Sequence, residues 1–344
     1  MNSIRQSLRV GFSYTGTALH ALQRRSLPLA WLNTMHAEVV TEVGSAAEFA
    51  AASRGWLAGA MAEVLPELHE GLRTRPVVRS QPRPKADLDL PWGQPGHVLG
   101  TLTTYRKHPA FGGREVLYSE QAWQRMLNGL DSYPMAVRVA VSELDSRGFP
   151  VHKGDSGVTV ARDQFSPDWV SLTFSAMAED TGWPESAQVQ DRWAEFVKAE
   201  AGRVGAVAGG LTDDIGPGQS ALQRATFNLA AGIADSRDTL RGYSWVMIIA
   251  EAIAARLGGA QVLRASGAFH EVRSLPNGSL WLRATPTINE FTGDRVRRVF
   301  EALAPVLPDG MAKFEFSESF RIVEGVNAAD YRAPGREGGS QSPE

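Results

Sequence analysis

Chemistry in this chain would have to come from acids and imidazoles. The sequence contains no cysteine, which removes thiolate metal sites, disulfides and a cysteine nucleophile together. Its seven histidines, His20, His36, His69, His97, His108, His152 and His270, are scattered, with no H-E-x-x-H and no pair at helical spacing. Two carboxylate neighbourhoods stand out. Asp213-Asp214 precedes Gly216-Pro217-Gly218, where acids most simply open a turn or lead into a helix. His270-Glu271 joins an imidazole to a carboxylate, but adjacent strand residues point to opposite faces, so the two cannot act together locally. Asp213, Asp214, His270 and Glu271 would therefore make an enzymatic site only if the fold gathered them in one cleft.

Other reactive patterns are missing. No Walker sequence occurs, and Gly205-Ala206-Val207-Ala208-Gly209-Gly210 lacks the G-x-G-x-x-G spacing; its small residues suit close packing of a helix on a strand. No G-x-S-x-G nucleophile elbow appears. Arg295, Arg297 and Arg298 cluster on one predicted helix and read as a solvated face. No catalytic, cofactor-binding or metal-ligating residue is assigned, and no cofactor is expected. One surface candidate is left: Trp281 and Arg283 share a strand face opposite Leu280 and Leu282. If that face is exposed, the pair is a candidate partner contact, because Trp and Arg are favoured interface anchors; the competing reading is that a helix covers it.

The elements that must position these residues follow from periodicity. Tyr243 to Ile249 is apolar on nearly every position, which suits a strand covered on both sides. An alanine-rich helix follows and stops at Leu257-Gly258-Gly259, then a short second helix runs to Phe269. Two strands flank the turn Pro276-Asn277-Gly278, a helix spans Asp294 to Ala304, and Lys313 to Glu318 alternates as a last strand. The order β-α-β-β-α-β matches a ferredoxin-like split motif. Upstream, helices are predicted over 45–70, 118–130, 187–201 and 219–231. Strands are predicted at Val137 to Ser142, Val158 to Val160, Val170 to Ser175 and Val204 to Gly210. The fold class is therefore α+β, with mostly antiparallel sheets and helices packed on one face. Residues 1–44 read as a flexible or mis-called leader, since the first acid is Glu38 and Arg5, Arg9, Arg24 and Arg25 precede it. Residues 45–100 read as a helix and a proline-rich linker, 101–240 and 241–330 as two α+β blocks, and 331–344 as a disordered tail.

Composition narrows the partners. A net charge of −3 argues against a dedicated nucleic-acid binder. No run approaches the roughly 18 apolar residues that span a bilayer, so no membrane contact is expected and the cytoplasm is the expected compartment. Arginine outnumbers lysine 30 to 5 among 35 basic residues, the bias of a GC-rich, bacterial kind of genome.

The last third resembles the type VI secretion immunity family. The resemblance rests on Gly242-Tyr243-Ser244-Trp245 opening a buried strand, Leu257-Gly258-Gly259 after the helix, and Ala284-Thr285-Pro286 after a strand. It continues through Gly293-Asp294 before the final helix and that helix's Ala302-Leu303-Ala304-Pro305. The chain departs from the family where Ala284 stands in place of a glycine, and in its long N-terminal extension. The resemblance implies a non-enzymatic protein that binds and neutralises a toxin effector. The alternatives left by the residues themselves are an enzyme assembled from the dispersed acids and imidazole, and a small-molecule-binding module with a pocket between the two blocks.

Overall fold

Strict alternation of valines with small or polar residues makes a half-buried strand, and Ala136–Glu143 is one: Val137, Val139 and Val141 are buried on one face. The computed structural model describes residues 34–78, 90–107, 109, 112–151, 156–213, 220, 222, 232–310, 321–323 and 325–331. The chain divides into two units, Met1–Leu32 and Asn33–Glu344, and every described residue belongs to the second.

Among the described residues ten strands form one sheet. They are β1 (Thr34–Glu42), β2 (Val98–Tyr105), β3 (Arg114–Leu117), β4 (Ala136–Glu143), β5 (Ser156–Arg162), β6 (Trp169–Met177), β7 (Ala208–Thr212), β8 (Val246–Ile249), β9 (Glu271–Ser274) and β10 (Leu280–Arg283). Their order is β3-β2-β4-β5-β6-β1-β7-β8-β10-β9, antiparallel at every step. Among the described residues the α-helices longer than four residues are α1 (Ala46–Glu63), α2 (Pro66–Thr74), α3 (Glu120–Asn128), α4 (Ala187–Val204), α5 (Glu251–Arg256), α6 (Gly259–Ala265) and α7 (Asp294–Leu303). The α+β class and its antiparallel sheet are as the periodicity predicts.

The helix predicted over 45–70 is two helices, because Pro66 cannot continue α1 and instead occupies the first turn of α2. At its start, Ser45 Oγ accepts from the Glu48 N–H at 3.2 Å while the Glu48 carboxylate accepts from the Gly44 N–H at 2.7 Å. That reciprocal pair satisfies donors the helix cannot. Helices α1 and α4 lie on the sheet face that carries Val39, Leu172 and Phe174. There Trp56 packs against Phe174 and Phe196 with ring centroids 6.0 and 5.1 Å apart, and Trp193 meets Phe174 edge-on at 5.8 Å. The Trp56 indole N–H donates to Thr173 O at 3.0 Å, so the ring is buried without an orphaned donor.

Four expectations need correction. Residues 34–42 are no leader: β1 lies between β6 and β7, with Met35, Ala37, Val39 and Val40 buried. The leader reading rested on the acid-free, arginine-containing stretch before Glu38, and that pattern does not mark where this strand begins. The boundary expected at 240–241 falls between β7 and β8, which are hydrogen-bonded neighbours in the one sheet, and a single hydrophobic core runs past it. Third, helices stand on both faces at the C-terminal end rather than on one. Cross-strand register puts Trp281 and Arg283 on the face of Val39, against α4, yet Met247, Leu280 and Leu282 on the other face are buried too. On that second face Ile253 of α5 borders the same cleft as Met247. Fourth, the split motif is present only as far as β8-β10-β9, the 1-3-2 portion of a 4-1-3-2 sheet. The place beside β8 that a fourth strand would take is held by β7, and Lys313 to Glu318 lies outside the described residues.

The seam between the two halves is β7, and it is built from glycine. Gly209 has φ +149°, and a Cβ there would stand 2.2 Å from the Glu38 carbonyl oxygen; at Gly210 it would stand 2.5 Å from Val246 O. The small residues of this stretch thus serve close strand-on-strand approach, not the helix-on-strand packing expected of them. The helix predicted over 219–231, Gly216-Pro217-Gly218 and the tail 332–344 lie outside the described residues.

Candidate functional site

Trp281 and Arg283 do not face solvent. Trp281 is 0% exposed and Arg283 6%, because α4 covers their strand face. The reason is visible in the partners α4 supplies. Arg283 Nη2 donates to Asp191 Oδ1 at 2.5 Å, and its guanidinium also donates to Thr285 O and Pro286 O while stacking 5.0 Å from the Trp245 ring. Trp281 donates its indole N–H to Glu271 Oε2 at 3.2 Å, and Lys198 bridges Glu271 at 3.2 Å and Glu195 at 2.6 Å. A buried guanidinium with carboxylate and carbonyl partners is a packing anchor. The pair is thereby corrected from a surface contact to a helix-to-sheet clamp.

The described members of the four, Asp213, His270 and Glu271, are not gathered in one place by any contact among the described residues. Asp213 is held at the end of β7 by Arg321, which grips both carboxylate oxygens and also donates to Phe291 O at 2.8 Å. Glu271 is held at the far edge of the sheet by Lys198, Arg273 and Trp281. His270 is exposed, its backbone N–H donating to Ala284 O at 3.1 Å. Asp214 lies outside the described residues. Among the described residues, Asp213 and Glu271 share no partner. Among the described residues, no three acids or imidazoles are grouped as metal ligands.

Glu271 has a measurable signature. Burial pushes its carboxyl up, but the Lys198 ammonium, the Arg273 guanidinium and the Trp281 N–H together outweigh burial and hold it below the usual 4.5. A depressed folded-state pKa contributes stability that is present above the unfolded value and lost as pH falls through the folded one. The urea midpoint of the protein should therefore drop between pH 6 and pH 3 by more than that of Glu271→Gln. Equal drops would show that the Lys198 contact contributes nothing.

Two concavities are of interest. The first lies where β1, β7 and β8 meet Ser236 to Ser244. Glu38 there accepts from Ser171 Oγ at 2.8 Å and pairs with Arg241 at 3.1 Å, and His36 Nδ1 meets Ser175 Oγ at 2.9 Å. Its volume is about 80 Å³, room for a few waters, against about 300–1,000 Å³ for typical ligand pockets.

The second, of about 510 Å³, lies at the β3 end of the sheet. Its walls come from α2, from Pro76 to Val78 and from the end of β3. The geometry follows from how β2's outer edge is shared. Val77 N–H donates to Val98 O at 3.0 Å, and Tyr118 N–H donates to Gly100 O at 2.8 Å, so two separate segments line up along one strand and leave a groove between them. Gly100 permits this, since a Cβ there would strike Leu72 at 2.5 Å and Tyr118 at 2.7 Å. Leu72, Pro76, Val77, Val78 and Leu117 form the apolar lining of the groove, with Arg73, Tyr118, Ser119 and Glu120 as its polar groups. Burial, then the neighbouring Glu120 carboxylate, push the Tyr118 phenol up to about 12, so it stays protonated and donates to Glu120 at 3.4 Å. Burial and then Arg73 hold His69 below its usual value, which keeps the imidazole neutral at pH 7. Sequence reading missed this groove because Pro76-Val77-Val78 begins a proline-rich stretch and resembles a linker. The available signal was a pair of valines at its start, with no polar residue between them.

Among the described residues, no helix is long and apolar enough to cross a membrane. No family model matches the chain, and no curated protein matches it. Among solved structures the chain is similar to the Pseudomonas aeruginosa T6SS protein PA0821, with 14% sequence identity and a TM-score of 0.46, over 81% of this chain and 77% of that one.

Proposed function

We propose that this chain is a non-enzymatic protein-binding factor of the immunity or antitoxin-like type, acting in the cytoplasm to neutralise a bacterial effector. The observation that carries the reading is how its reactive groups are used. Asp213 is committed to Arg321 and Glu271 to Lys198, in two ion pairs that tie elements of the fold together. The larger concavity is instead apolar and lies at an exposed sheet edge, where protein segments dock rather than where reactions are run. The resemblance of the last third to the type VI secretion immunity family supports the same reading.

The test is capture and protection. The full chain, immobilised and exposed to lysate of its own host, should retain one protein in stoichiometric amount, and deleting the chain's gene should sensitise cells to that protein. If no protein is retained and sensitivity is unchanged, the reading fails.

A further inference from the structure

The sheet has two outer edges, and they are treated differently. At β9, Arg264 of α6 donates to the Val272 carbonyl at 3.1 Å, so a side chain caps that strand's backbone. At β3, no described residue bonds to the outward backbone groups. Tyr118 N–H points inward to Gly100 O, so by antiparallel alternation Val116 also points inward, while Glu115 and Leu117 present N–H and C=O outward. Exposed valines flank this open edge: Val116 at 37% and Val78 at 82%. An unpaired edge is a template for pairing with another chain, and the charges on this short one, Arg114 and Glu115, restrict which chain can pair with it.

The geometry points to β3 and its adjoining groove as the docking site for an extended segment of the partner protein, which adds as an eleventh strand antiparallel to β3. This rests on the protein-binding reading above and locates it. Charge selects the occupant. Across an antiparallel pair, Arg114 calls for an acid opposite it, Glu115 for a base, and Val116 and Leu117 for apolar residues. Read from its own N-terminus, the incoming strand is therefore apolar, apolar, basic, acidic, with its leading end over the groove between Leu117 and Val78. A second copy of this chain fits worse. The two-fold that joins two β3 edges antiparallel keeps each sheet face on its own side. Registers centred on Arg114 or on Glu115 then set like charges opposite each other, and one centred on Val116 sets Glu115 opposite Leu117 and Arg114 opposite Tyr118, so that neither charge gains an opposite partner.

The probe is the peptide Ac-Ser-Thr-Val-Ile-Lys-Glu-Thr-Ser-NH2 at millimolar concentration with the full chain, followed by backbone amide exchange. Binding should slow exchange at the Glu115 and Leu117 amides, which point outward, and leave the inward Val116 amide as it was. Glu115→Lys should weaken the peptide about fivefold, and the peptide with Lys replaced by Glu should recover that loss on the variant. No protection at Glu115 and Leu117, or equal binding of both peptides to both proteins, overturns the assignment. The partner captured by the full chain separates the two claims. If Glu115→Lys leaves that capture intact, protein binding stands and this location fails; if nothing is captured at all, the reading beneath it fails.

Discussion

Gly209→Ala is expected to destabilise the protein by about 3–5 kcal/mol, and Gly209→Val by little more. Two costs combine at this position. Its φ of +149° strains any residue with a Cβ, and that Cβ would stand 2.2 Å from Glu38 O, part of a backbone that cannot swing aside. Both costs arise at the first carbon, so enlarging the side chain adds less than introducing it. Against a total stability of about 5–15 kcal/mol for a domain, this is a large fraction. Gly129→Ala is the control, because a Cβ there meets nothing within 4 Å, and it should change stability by about 0.5 kcal/mol or less. Urea midpoints of the three variants decide the matter. A Gly209→Ala protein as stable as wild type would mean that β7 does not sit against β1 as described.

The second large effect belongs to Trp56→Ala, at about 3–5 kcal/mol. The ring is 0% exposed and fills the layer between α1, α4 and the sheet, touching Phe174 and Phe196. Its removal leaves a cavity that two rigid aromatic neighbours cannot collapse into, and it frees the Thr173 carbonyl of its donor. Trp56→Phe retains most of the ring contact and loses the N–H, so it should fall between Ala and wild type, at about 1–2 kcal/mol. Thermal melts of both variants provide the ordering. If Trp56→Ala costs under about 1 kcal/mol, α1 is not the lid of this core.

Periodicity made most of the elements legible. Alternating valines located β4, aromatic and aliphatic residues at helical spacing located α1, α3, α4 and α7, and Pro276-Asn277-Gly278 located the turn before β10. The three arginines of α7 are on its exposed side, with Val296, Val299, Phe300 and Leu303 buried on the other, as the pattern required. What periodicity could not convey was which strands pair. Nothing in Met35 to Thr41 says that its neighbours are Val170 to Ala176 on one side and Ala208 to Leu211 on the other. Nor does the local pattern of Leu280 to Arg283 distinguish a bare face from one under a helix, since Trp281 and Arg283 have the same spacing either way. The groove depends on two segments meeting along β2, a tertiary fact with only a faint local trace.

The placement of β1 also has a cost for biogenesis. This strand leaves the ribosome before all the other described elements, yet both of its hydrogen-bonding neighbours are encoded far downstream, in β6 and β7. Contacts so distant along the chain close slowly, because the loop entropy is lost before the pairing returns anything. Until Thr212 has been translated, an apolar strand must wait with one or both margins bare, which is the condition under which nascent polypeptides stick to one another. A chain wired in this way makes holdase chaperones the natural guardians of its synthesis.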